Sequence, residues 1–201
     1  MRARSLLFAA AFGVAAGSAG ADTVKITPLG GVDGEFCRLD RAMIFEDPNG
    51  TRLLYDAGRS VAGPEDPRLG KIDAVLVSHM HGDHAGNAHM KAPNSGTCGK
   101  PDFSVDATPV TNSAAIAVAK GAKMVTGSEM ASFFAGRMKA GGGEPKDSLL
   151  VRFGAMRDVG GVGVTTVPAV HSNGVDPAFI GGQLGDMMKA AGITGYAGPP
   201  T

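Results

Sequence analysis

The sequence predicts an α/β protein in which sheets and helices form layers. The first predicted strands pair as a hairpin, and the strands that follow alternate with helices. The chain has 201 residues with 43% hydrophobic side chains, which is enough to bury a core. It shows no internal repeat and no interdomain linker, so we expect residues 22–201 to form one domain.

Strands are predicted in the N-terminal half. Residues 23–30, TVKITPLG, alternate apolar and polar side chains, as a half-buried strand does. Residues 41–58 place two β-prone segments on either side of DPNG, a dense turn signal that predicts a hairpin. The apolar run at 72–78, IDAVLVS, is short and bounded by turn residues, which predicts a buried strand.

After residue 103, predicted strands alternate with predicted helices. The strands are FSVDATP, AKMVTG, SLLVRFG and VGVTTVPAVHS. The helices SAAIAVAKG and SEMASFFAGRMKAGGG both end in glycine, and Ser128 is the expected cap of the second. A third, amphipathic helix is predicted over 176–192, with a proline in its first turn.

The first 21 residues have the pattern of a signal peptide. Arg2 and Arg4 give a basic start, and residues 6–16 are apolar but too short to span a bilayer. Small residues at 19–21 suit a cleavage site, so we predict cleavage after Ala21 and a periplasmic or secreted protein. A buried N-terminal helix is the alternative. No later segment is long and apolar enough to cross a membrane, so no membrane contact is expected after cleavage.

The net charge bears on the possible partners, and the two cysteines bear on a possible disulfide. The 19 basic residues balance 19 acidic ones, which gives no electrostatic reason to expect a nucleic acid or an anionic membrane as partner. In an exported protein, Cys37 and Cys98 can form a disulfide, which would stabilise the fold by roughly 4 kcal/mol. Two free thiols are the alternative.

Four of the five histidines fall within eleven positions, directly after the predicted strand at 72–78. Loops at strand ends are where open sheets present functional groups. In an extended backbone His79 and His81 point the same way, while Asp83 and His84 can turn to another side of the same pocket. Imidazole and carboxylate are ordinary zinc ligands, and the same set also suits iron or manganese. The cluster therefore predicts a metal site.

The segment HMHGDHAG at 79–86 resembles the H-x-H-x-D-H-x-G signature of the metallo-β-lactamase-fold hydrolase superfamily. The apolar strand before it agrees with this resemblance, as does an Asp-x-Gly at Asp56, near the end of the preceding strand. A later predicted strand ends in His171, as the third motif of the superfamily does. The resemblance covers about residues 23–200. It implies an αββα sandwich with the site between two sheets.

The resemblance also implies roles for particular residues. Five metal ligands follow from it, with His79, His81 and His171 at a first metal position and Asp83 and His84 at a second. Asp56 would be a carboxylate that orients the metal-binding loop. The implied cofactor is one or two zinc ions. The implied reaction is hydrolysis of a small-molecule substrate, with Asp83 holding the attacking water and managing its proton.

The sequence departs from the superfamily pattern at its C-terminal end. The superfamily adds a metal-bridging aspartate and a final histidine after this point, and the sequence stops at Thr201 before either. Asp186 lies in a predicted helix and is a poor replacement. We therefore expect an incomplete domain with a complete first metal position. The alternative function is a truncated domain of the same fold that binds one metal or is not catalytic.

Other readings of the sequence are less well supported. It contains no G-x-S-x-G, and neither cysteine has a histidine placed by local pattern, which argues against a serine or cysteine nucleophile. A diiron redox protein of the same fold would carry a carboxylate at position 81. The histidine at that position therefore argues against this alternative. His89 matches no position of the signature, and we interpret it as a helix-surface residue.

Overall fold

The computed structural model of the protein describes residues 23–32, 35–37, 40–93 and 102–169. Several predictions concern residues outside these ranges: the signal peptide, Cys98, His171 and the helix at 176–192. These stay predictions.

The described residues form short strands, three α-helices and one 3-10 turn. The strands are β1 (Lys25–Pro28), β2 (Gly31–Val32), β3 (Glu35–Phe36), β4 (Met43–Glu46), β5 (Arg52–Tyr55), β6 (Ala74–Val77), β7 (Ala88–His89), β8 (Val105–Asp106), β9 (Lys123–Thr126), β10 (Ser148–Leu150), β11 (Met156–Val159) and β12 (Val162–Thr165). The helices are α1 (Gly82–Ala85), α2 (Asn112–Lys120) and α3 (Met130–Ala140), and the 3-10 turn covers Pro145–Asp147.

Six strands form one mixed sheet in the order β1-β4-β5-β6-β9-β10. Strand β4 is antiparallel to both β1 and β5, which confirms the hairpin predicted over residues 41–58. Strands β5, β6, β9 and β10 are parallel, and α2 and α3 make the crossovers that lead to β9 and β10. The carboxyl ends of these four strands therefore lie along one edge of the sheet.

The central strands send alternate side chains to opposite faces of the sheet. In β5, Leu54 belongs to the core on one face and Leu53 to the core on the other. In β6, Val75 belongs to the same core as Leu54, and Ala74 belongs to the same core as Leu53. Both faces are buried, which is why the sequence at 72–78 reads as a continuous apolar run.

Helices α2 and α3 cover the first face, where Ile116 and Phe134 are fully buried. On the second face, the antiparallel hairpin of β11 and β12 brings Val159 and Val162 against Val125 of the sheet. The described part of the molecule thus has a helix layer, a mixed sheet and a hairpin layer. The predicted α/β class is confirmed.

Two local predictions are corrected by the structure. Helix α3 begins after Glu129 and has no side-chain cap, because Ser128 has a φ of 53° and its hydroxyl bonds to the Glu129 carboxylate. The predicted cap at Ser128 is therefore wrong. Strand β11 was not predicted, because three of its four side chains are exposed and its sequence, MRDV, has little apolar alternation.

Cys37 is buried and disulfide-bonded. Its expected partner, Cys98, lies outside the described residues, so the pairing of these two cysteines stays a prediction. Within the described residues, no helix is both long enough and apolar enough to cross a bilayer.

Candidate metal centre

The histidine loop follows β6 at the carboxyl edge of the parallel strands. Strands β5 and β6 place Tyr55 beside Leu76, and the Asp56 amide extends the ladder by donating to the Leu76 carbonyl at 2.9 Å. Asp56 and Ser78, 22 positions apart in the sequence, therefore become neighbours. This is the edge at which open parallel sheets present functional groups.

The loop consists of an extended stretch followed by one turn of helix. His81 is extended, with φ −64° and ψ 151°, and α1 begins at the next residue. Gly86 ends α1 with a φ of 78°, a left-handed conformation that favours glycine. The prediction of a loop that runs into a helix is confirmed for a helix of a single turn.

The four predicted ligands in the described residues converge in two pairs. His79 Nε2 lies 3.0 Å from His81 Nδ1, and the two rings meet edge to face with centroids 4.7 Å apart. His84 Nε2 lies 3.4 Å from Asp83 Oδ2. The rings of His79 and His84 are 3.9 Å apart at their centroids, so the two pairs lie side by side.

Asp56 is a buried carboxylate behind these pairs, 1% exposed. Its Oδ1 accepts a hydrogen bond from the Ser78 amide at 2.8 Å. Its Oδ2 accepts from the Ser78 hydroxyl at 2.8 Å and from His84 Nδ1 at 2.7 Å. In the neutral ring, a hydrogen on Nδ1 directed to Asp56 Oδ2 places the lone pair on Nε2, the nitrogen that faces Asp83.

Two glycines allow the loop after β5 to approach the histidine loop. Gly58 has a φ of 55°, and a Cβ added there would lie 2.0 Å from the Asp83 carbonyl oxygen. The Gly58 amide donates to the His84 carbonyl at 2.9 Å. A Cβ added at Gly86 would lie 2.3 Å from the Gly58 carbonyl oxygen. Only glycine fits this contact between the two loops.

The start of α2 supports both loops from behind. Asn112 is fully buried, and its Nδ2 donates to the carbonyls of Gly58 at 2.9 Å and Val61 at 2.8 Å. Its backbone amide donates to Gly86 at 2.7 Å, and the Ser113 hydroxyl donates to the His84 carbonyl at 3.2 Å. Sequence reasoning missed these residues, because nothing in the local pattern connects position 112 with position 58.

Arg59 lies on the outer side of the same loop. Its guanidinium donates to Asn87 Oδ1 through Nε at 3.2 Å and Nη2 at 2.9 Å, and it stacks on Phe103 at 5.5 Å. A Cβ added at Gly82 would lie 2.3 Å from Arg59 Nη2. The guanidinium therefore packs directly on the histidine loop, a contact that the sequence did not predict.

The donor atoms suit a divalent metal ion. Two donors on a tetrahedral zinc ion, each bound at about 2.0–2.1 Å, lie roughly 3.3 Å apart. The described pairs, at 3.0 Å and 3.4 Å, are close to that separation. Within the described residues, no group of three or more His, Cys, Asp or Glu side chains is arranged to hold an ion. The predicted third ligand of the first position, His171, lies outside these residues.

His89 takes no part in either pair. It lies in β7, not on a helix surface, so the sequence interpretation is wrong. Its Nδ1 donates to the Met90 carbonyl at 2.8 Å, and its ring packs over Gly63. The error came from extending the helix after Gly86 by pattern alone, whereas the left-handed glycine ends it.

Tyr55 borders the site at the end of β5. Burial raises the pKa of its phenol above the ordinary value, and the neighbouring Asp56 carboxylate raises it further. The phenol therefore stays protonated at neutral pH and can act there only as a neutral hydrogen-bonding group.

A family model described as the metallo-beta-lactamase superfamily matches residues 41–92. That segment runs from the first hairpin through the whole histidine loop, and so contains Asp56 and both donor pairs. Residues 41–92 are therefore similar to the metallo-beta-lactamase superfamily.

Several relatives that this chain matches are named as UPF0173 metal-dependent hydrolases. One from Anaeromyxobacter dehalogenans is 32% identical over 143 residues, which are 66% of this chain and 40% of the relative. One from Pyrococcus abyssi is 29% identical over 138 residues, covering 69% of this chain and 47% of the relative. One from Pyrococcus furiosus is 27% identical over 148 residues, covering 72% and 52%. The chain thus matches about half the length of these relatives.

Proposed function

We propose that this protein is an exported, zinc-dependent hydrolase that acts on a small-molecule substrate through activated water. The observation that carries the proposal is the convergence of His79 with His81 and of Asp83 with His84, side by side at one sheet edge. The relatives named as metal-dependent hydrolases support it. The proposed export depends on the signal-peptide pattern of the first 21 residues.

Each residue of the site has a part in this proposal. His79 Nε2 and His81 Nδ1, with His171, would hold the first zinc ion, and Asp83 and His84 Nε2 would contribute to a second. Bound zinc supplies Lewis acidity, which lowers the pKa of water and polarises the bond to be cleaved. Asp83 Oδ2 would hold the attacking water and accept its proton. Asp56 would fix the tautomer and the orientation of His84.

The first test is elemental analysis of metal per folded chain, on protein beginning at Asp22. We expect at least one zinc, lost in His79→Ala and in His171→Ala. The matched control is His89→Ala, because His89 lies on the same segment but bonds to a backbone carbonyl and not to the cluster. This variant should keep its zinc.

Hydrolysis is tested next on the zinc-loaded protein, with a panel of lactone, thioester, phosphodiester, sulfate ester and β-lactam substrates. Turnover that disappears in Asp83→Asn while zinc remains bound would support the role of Asp83. Zinc bound without turnover of any substrate would favour the non-catalytic metal-binding alternative. Folded protein that binds no metal would refute the proposal, and iron or manganese in place of zinc would correct the cofactor.

A further inference from the structure

We propose that Ser78 is a positioning residue that joins the two metal positions through Asp56, an inference that rests on the proposed function. The Ser78 hydroxyl lies 2.8 Å from Asp56 Oδ2 and 3.1 Å from Nδ1 of both His79 and His84. It is the atom at which the buried carboxylate and one ring from each donor pair meet.

The direction of each hydrogen bond follows from chemistry. An ionised carboxylate only accepts, so the single hydroxyl hydrogen of Ser78 goes to Asp56 Oδ2. The oxygen of Ser78 then has lone pairs left and accepts from His79 Nδ1. With its hydrogen on Nδ1, His79 has its lone pair on Nε2, the nitrogen that faces His81 Nδ1 at 3.0 Å.

His84 is held by the same carboxylate without an intermediary. Its Nδ1 donates to Asp56 Oδ2 at 2.7 Å. Asp56 therefore sets the tautomer of one ring in each pair, directly for His84 and through Ser78 for His79. The Ser78 amide adds a third bond, to Asp56 Oδ1 at 2.8 Å, which fixes the carboxylate plane.

This arrangement makes the two metal positions unequal in their dependence on Ser78. Removal of the hydroxyl leaves the bond between His84 and Asp56 intact but takes away the acceptor at His79 Nδ1. Loss of a group that orients a metal-binding imidazole costs about 10–100-fold in metal affinity. We therefore expect Ser78 to tune the first position much more than the second.

The test compares zinc affinity in the wild type, Ser78→Ala and Ser78→Thr, by competition with a chromophoric chelator. Ser78→Ala should bind its tightest zinc at least about 10-fold more weakly. Ser78→Thr keeps a hydroxyl and should restore the affinity. Ser148→Ala is the matched control, because it removes a part-buried serine hydroxyl that donates to the Ala131 carbonyl, away from the histidine loop. It should bind zinc as the wild type does.

A second measurement needs no variant. Long-range ¹H–¹⁵N NMR spectra of the zinc-loaded wild type should show the His79 hydrogen on Nδ1. A hydrogen on Nε2 would overturn the inference, as would unchanged zinc affinity in Ser78→Ala. A wild type that binds no zinc would overturn the proposed function and this inference together. Tight zinc binding with no effect of Ser78→Ala would overturn this inference alone.

Discussion

Buried carboxylates connect the loops of this protein through hydrogen bonds to backbone amides and to single side chains. Asp56 does this beneath the histidine loop. Asp66, 2% exposed, does it in the loop between β5 and β6. It accepts from the Ala62 and Arg68 amides at 2.9 and 3.0 Å and from the Arg68 guanidinium at 2.6 and 2.9 Å. Loop structure near the site therefore depends on individual charged residues.

Replacement of Asp66 by Asn should destabilise the fold by about 3 kcal/mol, because it leaves the Arg68 guanidinium without its charged partner and the Ala62 amide with a weaker acceptor. Urea unfolding at neutral pH measures the change. Lys146→Ala is the control, because its ion pair with Glu144 spans 4.0 Å on the surface and should add nothing measurable. Equal stability of Asp66→Asn and wild type would contradict this account.

The same carboxylate predicts a pH dependence. Burial raises the pKa of Asp66, but the hydrogen bonds from Arg68 and the Ala62 amide outweigh it, so the pKa lies below the ordinary value. Its contribution to stability is therefore complete above the unfolded-state pKa of about 4 and is lost as the pH falls through the lowered folded-state pKa. Unfolding free energies measured from pH 6 down to pH 2 should fall less steeply in Asp66→Asn than in wild type.

Gly58 is the residue at which the two loops of the site touch. Ala at this position would place a Cβ 2.0 Å from the Asp83 carbonyl oxygen, on a backbone with φ 55°. We expect Gly58→Ala to cost more than about 2 kcal/mol and to lower zinc binding, since Asp83 must move. Gly50→Ala is the control: φ is 84°, but no atom lies within 4 Å of the added Cβ. It should cost about 1 kcal/mol and leave zinc binding unchanged.

At the scale of elements, each helix contributes through the face that it turns to the sheet. In α3, Phe134 is fully buried against the sheet, whereas its neighbour Phe133 is half-buried and stacks against Arg137 at 4.5 Å. The rings of Phe133 and Phe134 meet edge to face, with centroids 5.2 Å apart. Adjacent residues of the same type thus have very different surroundings.

Truncation of these two rings should show that the contribution of a phenylalanine to stability depends on its burial and not on its residue type. Phe134→Ala should destabilise the fold by about 3–5 kcal/mol, because it leaves a cavity between α3 and the sheet. Phe133→Ala should cost about 1–2 kcal/mol, since Phe133 is only partly buried at the edge of the core. Thermal and urea unfolding of both variants test this. A larger loss of stability in Phe133→Ala than in Phe134→Ala would mean that α3 packs against the sheet by a different face.

At the scale of the whole molecule, the proposed metal couples the histidine loop to the stability of the fold. A ligand that binds only the folded state stabilises it by about 2.7 kcal/mol at 100 times its Kd. For a domain of this size that corresponds to roughly 5–10 °C in Tm. The site should therefore be visible in unfolding experiments before any substrate is known.

Saturating zinc should raise the Tm of the wild type and of His89→Ala by roughly 5–10 °C. The double variant His79→Ala, His81→Ala should show no such rise, and a chelator should reverse the rise in the wild type. Differential scanning fluorimetry is sufficient for the measurement. A zinc-induced shift that persists in the double variant would place the bound ion elsewhere in the molecule.

The main strands, the first hairpin, the crossover helices and the residue types of the candidate metal centre could be predicted from the sequence. These depend on local periodicity, on turn residues and on a short spacing of ligands, all of which are written along a few consecutive positions. The positions of β5 and β6 and the loop that carries His79, His81, Asp83 and His84 were predicted for that reason, and the structure confirms them.

The distant residues that support that loop could not be predicted, because packing between separate segments brings them together. Ser78 and Asp56 meet because β5 and β6 are parallel neighbours, and Asn112 reaches Gly58 because α2 packs behind both loops. The error at His89 and the wrong cap at Ser128 have the same origin: a backbone with positive φ at Gly86 and at Ser128 itself. Positive φ is uncommon at a serine, so Ser128 could not be predicted from local propensity, whereas Gly86 is a local helix-stop signal that the interpretation of His89 did not use.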